Sequence, residues 1–301
     1  MIIKNYLQHP FKSIVESLQM HQLLNWMSDR LYLKIVYRAK IGKKLNINNP
    51  CLYNEKLQWL KLYDRREEYQ VLVDKYRVRE YISNTLGEEY LIPLLGKWDS
   101  PDEIEFDKLP NQFVLKCNHD SGSVLICKDK ANFDQEKAKQ FLSGKMATNH
   151  YYLGREWPYK SVKPCIIAEK YMTPQNSDAL VDYKYFCFNG EPKIMYWSKD
   201  KAEDPRTDFF DMNFNHLPIR MRDPNSEVLP DKPINFEKMK AIAKQLSKDY
   251  PHVRRDFYEI NGKIYFGEFT FYHCSGFAEV KPEEWNHKLG NWIVLPKRKL
   301  L

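Results

Sequence analysis

The chain has 301 residues, 43% hydrophobic and 29% charged, with a formal net charge of +7. That much apolar material can bury a core, which argues against a disordered chain, and the absence of any apolar run of about 18 residues argues against a spanning helix. The excess of positive charge suits an anionic small molecule or glycan; nucleic acid is not an expected partner, because no nucleic-acid-binding motif accompanies the charge.

The N-terminus shows no short uncharged core followed by a small-residue cleavage site, so a cytoplasmic protein is expected. Residues 1–92 read as helical. Leu7, Phe11, Ile14, Val15, Leu18, Leu23, Leu24 and Met27 recur at helical spacing, as do Leu57, Leu60, Leu62, Val71, Val73, Val78 and Ile82. The first helix carries Lys4, His9, Lys12 and His21, a composition that also permits peripheral contact with the inner face of a membrane, although packing on a core is the plainer reading. From Phe113 the period becomes that of strands. FVLKCN and VLICKD flank a short polar loop from His119 to Ser123, and a helix follows over about Asp134 to Lys145. PCIIAEKYM is a further strand. DYKYFCFNGEPKIMYWSKD is a hairpin about Asn189-Gly190, a helix spans about Phe236 to Tyr250, and VRRDFYEINGKIYFGEFTF forms a second hairpin. The six cysteines, Cys51, Cys117, Cys127, Cys165, Cys187 and Cys274, include no CxxC pair and no zinc-site spacing, and are expected to be buried thiols.

The second hairpin carries the most chemistry, because Arg254, Asp256, Glu268 and Thr270 interrupt strands that are otherwise aromatic and aliphatic. Strand parity decides whether they meet. A two-residue turn at Asn261-Gly262 sends Asp256 and Glu268 to opposite faces. A three-residue loop, Ile260 to Gly262 with Gly262 left-handed, pairs Glu259 with Lys263 and brings all four to one face, and this is the expected geometry. Two carboxylates with a hydroxyl and an arginine then make an oxygen-rich site suited to magnesium carrying a phosphate. Arg254 is expected to need the transferring phosphoryl group to neutralise it, and Arg255 to point the other way. Lys116 closes an apolar strand just before a small-residue loop, where backbone amides and a point charge together suit phosphate oxygens. Glu169, Lys170, Tyr171 and Met172 end a strand in a mixed segment able to meet an adenine edge and face, and Asp182 is placed to accept from ribose hydroxyls.

YNEKLQWLKLYDR, DKYRVREYI, LPNQFVLKCNHDSGS, AEKYM, DYKYFCFNG and RRDFYEINGKIYFGEFTF followed by SGF, in this order, resemble the ATP-grasp superfamily. The likeness is strongest to its TupA-like branch, associated with teichuronopeptide and other cell-surface polysaccharide synthesis, and it covers about Tyr53 to Pro296. The resemblance implies an α+β fold in which two lobes, about 93–168 and 169–301, clasp ATP behind a helical N-terminal region, 1–92. It implies Lys116 and Arg79 on the phosphates and His119, Ser121, Gly122 and Ser123 in a lid. Glu169 to Met172 become the adenine hinge, Asp182 the ribose contact, Asp256 and Glu268 the magnesium ligands, and Arg254 the group that steadies the transferred phosphoryl. Thr270 stands where the family's second carboxylate motif has Asn, so the metal would be held by fewer protein groups or completed by water.

The function so implied is a magnesium-dependent ligase that activates a carboxylate with ATP and passes it to an amine in capsule or wall polysaccharide assembly, with a uronic acid or amino acid as one reactant. A glycosyltransferase is the rival. Its metal-dependent forms commonly use Asp-x-Asp, which does not occur here; Asp208 and Asp211 stand three apart. A nucleotide-binding protein without catalysis is the third alternative.

Overall fold

The computed structural model describes residues 9–174, 180–199 and 205–298. Lys4 and Leu7 of the expected first helix lie outside them. Helix α1 (Pro10–Met20) opens with proline at its first turn and packs Val15 against α2 (Asp29–Ile41), whose Tyr32, Leu33, Val36 and Tyr37 are buried. α1 leaves Phe11, Ile14 and Met20 exposed. Helices α3 (Tyr53–Tyr63), α4 (Glu68–Val73) and α5 (Val78–Thr85) follow. Almost all of α3 is buried, because it is clamped to the C-terminal part of the chain: Asn54 donates to the carbonyls of Gly276 and Ala278, and Lys61 to that of Ser275. Among the described residues no helix is long and apolar enough to cross a membrane.

A first antiparallel sheet has the order β1-β4-β2-β3, from β1 (Leu94–Trp98), β2 (Phe113–Cys117), β3 (Val124–Cys127) and β4 (Ile166–Lys170). Helix α6 (Gln135–Met146) closes its core, with Leu142 against Phe113 and Leu115; Asp134 caps it by accepting from the backbone N–H of Lys137. The short α7 (Tyr151–Gly154) leads back toward β4.

The second sheet comprises β5 (Val181–Phe188), β6 (Glu191–Lys199), β7 (Arg206–Asp211), β8 (His216–Leu217), β10 (His252–Ile260) and β11 (Lys263–Thr270), in the order β11-β10-β5-β6-β7-β8. A separate two-stranded ribbon joins β9 (Arg220–Met221) to β12 (Val280–Lys281), just before α9 (Glu283–Trp292). Helix α8 (Phe236–Gln245) covers one face of the six-stranded sheet: the Tyr185 hydroxyl donates to the Phe236 carbonyl, and Ala243 meets Cys187. The sequence extends this helix to about Tyr250. It stops at Gln245, and the Leu246 carbonyl just beyond is taken by Arg255 from the sheet beneath. The opposite face carries the even-numbered residues of β10 and, directly across the ladder, Lys184 and Phe186 of β5. The strand is buried along most of its length despite its charges. The cysteines are free; four are buried, but Cys51 is exposed and Cys274 half-buried, contrary to the expectation that all are buried.

Candidate active site

The β10–β11 hairpin turns on two residues, not three. Ile260 pairs with Lys263, and Asn261 and Gly262 have φ of +52° and +74°. This left-handed pair suits the twist of the strands and requires a glycine or a similarly permissive residue at the second position. By itself the turn would put Asp256 and Glu268 on opposite faces. The register then slips between Phe257↔Phe266 and Arg255↔Phe269, so that Gly267 and Glu268 together oppose Asp256. This bulge restores the parity that the shorter turn removes. A side chain at Gly267 would place its Cβ 3.0 Å from the Asp256 carbonyl oxygen and 3.2 Å from the Asp256 Cβ, so any other residue would push the two strands apart by a few tenths of an ångström. Arg254, Asp256, Glu268 and Thr270 converge after all, through a different device from the one expected.

Arg254 links the cluster. Its Nε and Nη2 donate to the two Asp256 oxygens at 2.7 and 2.5 Å, and Nη2 also reaches Glu268 Oε1 at 2.9 Å. Nη1 donates to His273 Nδ1 at 2.7 Å. Arg254 is thus already neutralised by two carboxylates and does not wait for a phosphoryl group, as the sequence reading supposed. Burial and the neighbouring Arg254 keep His273 neutral and so able to accept. Thr270 donates its hydroxyl to Glu268 Oε1 at 2.9 Å and so orients that carboxylate, whose Oε2 takes no part in these bonds. Burial pushes Asp256 up to about 6 against the pull of Arg254 and Lys184. Glu268 has the opposite outcome: desolvation is outweighed by Arg254, Lys75 and Lys184, which hold it down at about 2. Arg255 does point the other way. It is fully buried, stacked 3.7 Å from the Phe269 ring centroid, donates to Leu246, and is lowered to about 9 by burial.

Facing this cluster across a cleft of about 290 Å³ is the end of the first sheet. Lys116 Nζ lies 2.7 Å from Glu169 Oε2, while Arg79 donates to Glu169 Oε1 at 3.1 Å and to the Ile92 carbonyl at 2.8 Å. Glu169 is therefore shared by two cations. Of the polar loop, Ser121 and Gly122 line the cleft. His119 and Ser123 turn inward: His119 Nε2 meets the Thr148 carbonyl at 3.2 Å, and the Ser123 hydroxyl donates to Asp120 and accepts from the Cys117 N–H. Lys170 is exposed, its N–H bonded to the Pro93 carbonyl, and Tyr171 and Met172 are half-buried outside the cleft lining. Asp182 lies at the cleft edge, 3.4 Å from Lys184 Nζ.

Two cations of the cleft escaped the sequence reading. Lys184 faces Asp256 across the β5–β10 ladder with Nζ 3.6 Å from its carboxylate; burial would lower its pKa, but Asp182 and Asp256 raise it. It could have been found by the argument that singled out Arg254, since it is a charge on an aromatic strand two residues from another. Lys75 follows the Asp74 cap and bonds the Asp120 carbonyl, holding the polar loop near the cleft. Only the fold reveals that. The cleft also has an apolar wall of Val78, Leu91, Ile92 and Phe266.

Among the described residues no group of three or more His, Cys, Asp or Glu side chains is gathered as a metal cage. Asp256 and Glu268 nevertheless fit a hard divalent cation that shares its shell with phosphate oxygens and water: they are oxygen donors, bridged by one guanidinium, on the wall of a cleft lined by cations.

The hairpin of the six-stranded sheet, with its Arg-bridged carboxylates, thus faces the lysine-bearing four-stranded sheet across the cleft, and the fold is that of the ATP-grasp class. The chain belongs to the TupA-like ATPgrasp family, which it matches over residues 55–294. No curated protein matches it in sequence. Among solved structures it is similar to D-cycloserine synthetase DcsG, at 11% identity and a TM-score of 0.41, covering 91% of this chain and 79% of that one. It is also similar to D-alanine–D-alanine ligase from Helicobacter pylori, at 14% identity and 0.40, covering 80% and 69%. The ATP complex of the Bacillus anthracis D-alanine–D-alanine ligase shares 15% identity at a TM-score of 0.38 over 67% of this chain. The chain spans about half the length of that relative, 54%.

Proposed function

We propose that the chain is an ATP- and magnesium-dependent carboxylate–amine ligase of cell-surface polysaccharide assembly, acting in the cytoplasm on a uronic acid or an amino acid. Two lobes, 93–168 and 169–301, would hold ATP between them behind the helical region 1–92. The observation that supports this best is the single guanidinium bridging Asp256 and Glu268 across a cleft from Lys116 and Arg79.

In this reading Lys116 exchanges Glu169 for phosphate oxygens when nucleotide enters, and Arg79 stays as the counter-ion of Glu169. Ser121 and Gly122 offer backbone amides to the phosphates, and the apolar wall beside β4 takes the adenine near Glu169 to Met172. Asp182 accepts from the ribose. Magnesium, held by Asp256 and Glu268 together with phosphate oxygens and water, would supply charge neutralisation. A substrate carboxylate oxygen attacks the γ-phosphorus, the bond to the β–γ bridging oxygen breaks, and ADP leaves. An amine then adds its lone pair to the acyl carbon, phosphate departs with the bonding pair, and the amine proton goes to solvent. Lys184, on the cleft wall, is fixed beforehand as a cation for the oxygens on which charge grows, which is where electrostatic catalysis gains most, while Arg254 holds the two carboxylates in place.

The test is ADP and phosphate release across a panel of carboxylates and amines. Release should require one of each. ADP formation indifferent to both, or consumption of a nucleotide sugar in place of ATP, would overturn the proposal.

A further inference from the structure

A second pocket of about 720 Å³ lies outside the cleft, where the N-terminal helices meet the β9–β12 ribbon and the segment after β11. Lys12 of α1 and Lys40 of α2 line one side, and Arg220, Arg222 and Lys281 of the ribbon line the other. The acids beside these five cations are Glu16, Glu279, which Lys281 takes up at 2.9 Å, and Asp223, 3.8 Å from Arg222 Nε, which leaves an excess of two positive charges. Isolated surface lysines and arginines are ordinarily solvated and mean little. Here, however, Arg220 sits directly opposite Lys281 in the β9–β12 ladder, a pairing of like charges that an anion would favour beyond what Glu279 supplies to Lys281. Arg222 follows at φ +60°, a left-handed conformation that an arginine adopts at a cost. Lys40, half-buried, is lowered chiefly by burial; Glu16 works against this and Lys12 adds to it.

The floor of the pocket touches residues that pack on the active site. Phe277 and Cys274 form it, and Cys274 Sγ lies 3.5 Å from His273 Nε2, while His273 Nδ1 accepts from Arg254. Cys274, Ser275 and Gly276 are consecutively left-handed, at φ +48°, +53° and +63°, and this bends the chain sharply between the pocket and Arg254. The pocket therefore ends one residue behind the guanidinium that holds the two carboxylates.

We propose that this pocket binds the anionic end of the acid substrate, a small acid that carries a second carboxylate or a phosphate besides its reacting carboxylate. Arginines suit such planar or tetrahedral anions through paired N–H groups, and the Phe277 ring gives the carbon skeleton an apolar face. The assignment to the substrate rests on the ligase reading above; anion binding by the pocket does not.

Calorimetric titration at low salt with tricarballylate, as a polycarboxylate, and inorganic phosphate separates the two chemistries, with ADP in saturating excess to block the cleft. At least one should bind the wild-type protein. The double variant Arg220→Ala/Arg222→Ala should bind it about tenfold more weakly or worse, whereas Lys116→Met should leave it unchanged. ADP affinity of the double variant should equal that of the wild type, which also shows that it is folded. If neither anion binds, or the double variant binds like the wild type, or Lys116→Met abolishes binding, the pocket is not the site. Anion binding lost in the double variant, in a protein that binds no ADP, supports the pocket and refutes the ligase reading alone.

Discussion

Replacing Arg254 by Ala removes the counter-ion of a carboxylate that has almost no access to water. Asp256 loses two charge-assisted hydrogen bonds, at 2.7 and 2.5 Å, and keeps only Lys184 at 3.6 Å. Stripping one partner from a buried pair costs roughly 3–5 kcal/mol. Lys184 offsets part of that, so the lower end is expected, about 3 kcal/mol. Glu268, whose side chain is 37% exposed, is screened by solvent and adds little. The loss should depend on pH with a definite sign. Asp256 is already raised by burial to about 6 in the folded chain, and without Arg254 it rises further. A carboxyl raised on folding is most favourable when protonated, so the variant loses additional stability as pH climbs from about 6 through its new value, while the wild type has finished titrating there. Denaturant unfolding at pH 5.5 and pH 8 should show a deficit that is small at the lower pH and near its full size at the higher. Millimolar Mg2+ should restore part of it by occupying the freed carboxylates, and do less for the wild type. A deficit below about 1 kcal/mol at pH 8, or one equal at both pH values, would show that Arg254 is not the main counter-ion of Asp256.

Lys116→Met preserves volume but removes the cation, so ADP and ATP affinity should fall about tenfold or more with the melting temperature nearly unchanged; unaltered binding in a calorimetric titration would take Lys116 out of the site. Gly267→Val forces a side chain against the Asp256 backbone and should cost about 1–3 kcal/mol in denaturant unfolding, with Mg2+-dependent nucleotide binding lost with it, because the bulge is what aligns Glu268. A valine tolerated with full binding would mean that the bulge is not needed. Lys61 is fully buried, donates to the Gly154 and Ser275 carbonyls at 2.7 Å each, and is lowered by burial to about 7 from 10.5. Between those values the unfolded chain holds a proton that the folded chain releases, so this group makes stability rise with pH by up to about 1.4 kcal/mol per unit. The wild-type-minus-Lys61→Met difference, measured from pH 7 to 8.5, should therefore increase; a flat difference would show the amine to be charged in the fold.

The sequence by itself determined that the chain is α+β and singled out Arg254, Asp256, Glu268 and Thr270 as the charged and polar residues of one aromatic hairpin. Charges on strands rich in Phe, Tyr and Ile have to be buried together or not at all, and that constraint is local in origin. The Asn189-Gly190 turn and the helix after Asp134 were legible for the same reason, since turn and cap chemistry acts over three or four residues. Other features were settled only by tertiary structure. A two-residue turn and a three-residue loop are equally compatible with Glu-Ile-Asn-Gly-Lys, and because side chains alternate every residue, one slip of register decides which face Glu268 occupies. The slip was fixed at Gly267 by the close approach of the Asp256 backbone, a contact between strands that no spacing along the chain reports. Packing likewise sent Arg255 under α8 to the Leu246 carbonyl and brought Lys184 and Lys75, from separate elements, to the cleft. Their positions depend on which strands and helices become neighbours, and that is set by the whole core and not by the residues adjacent to them.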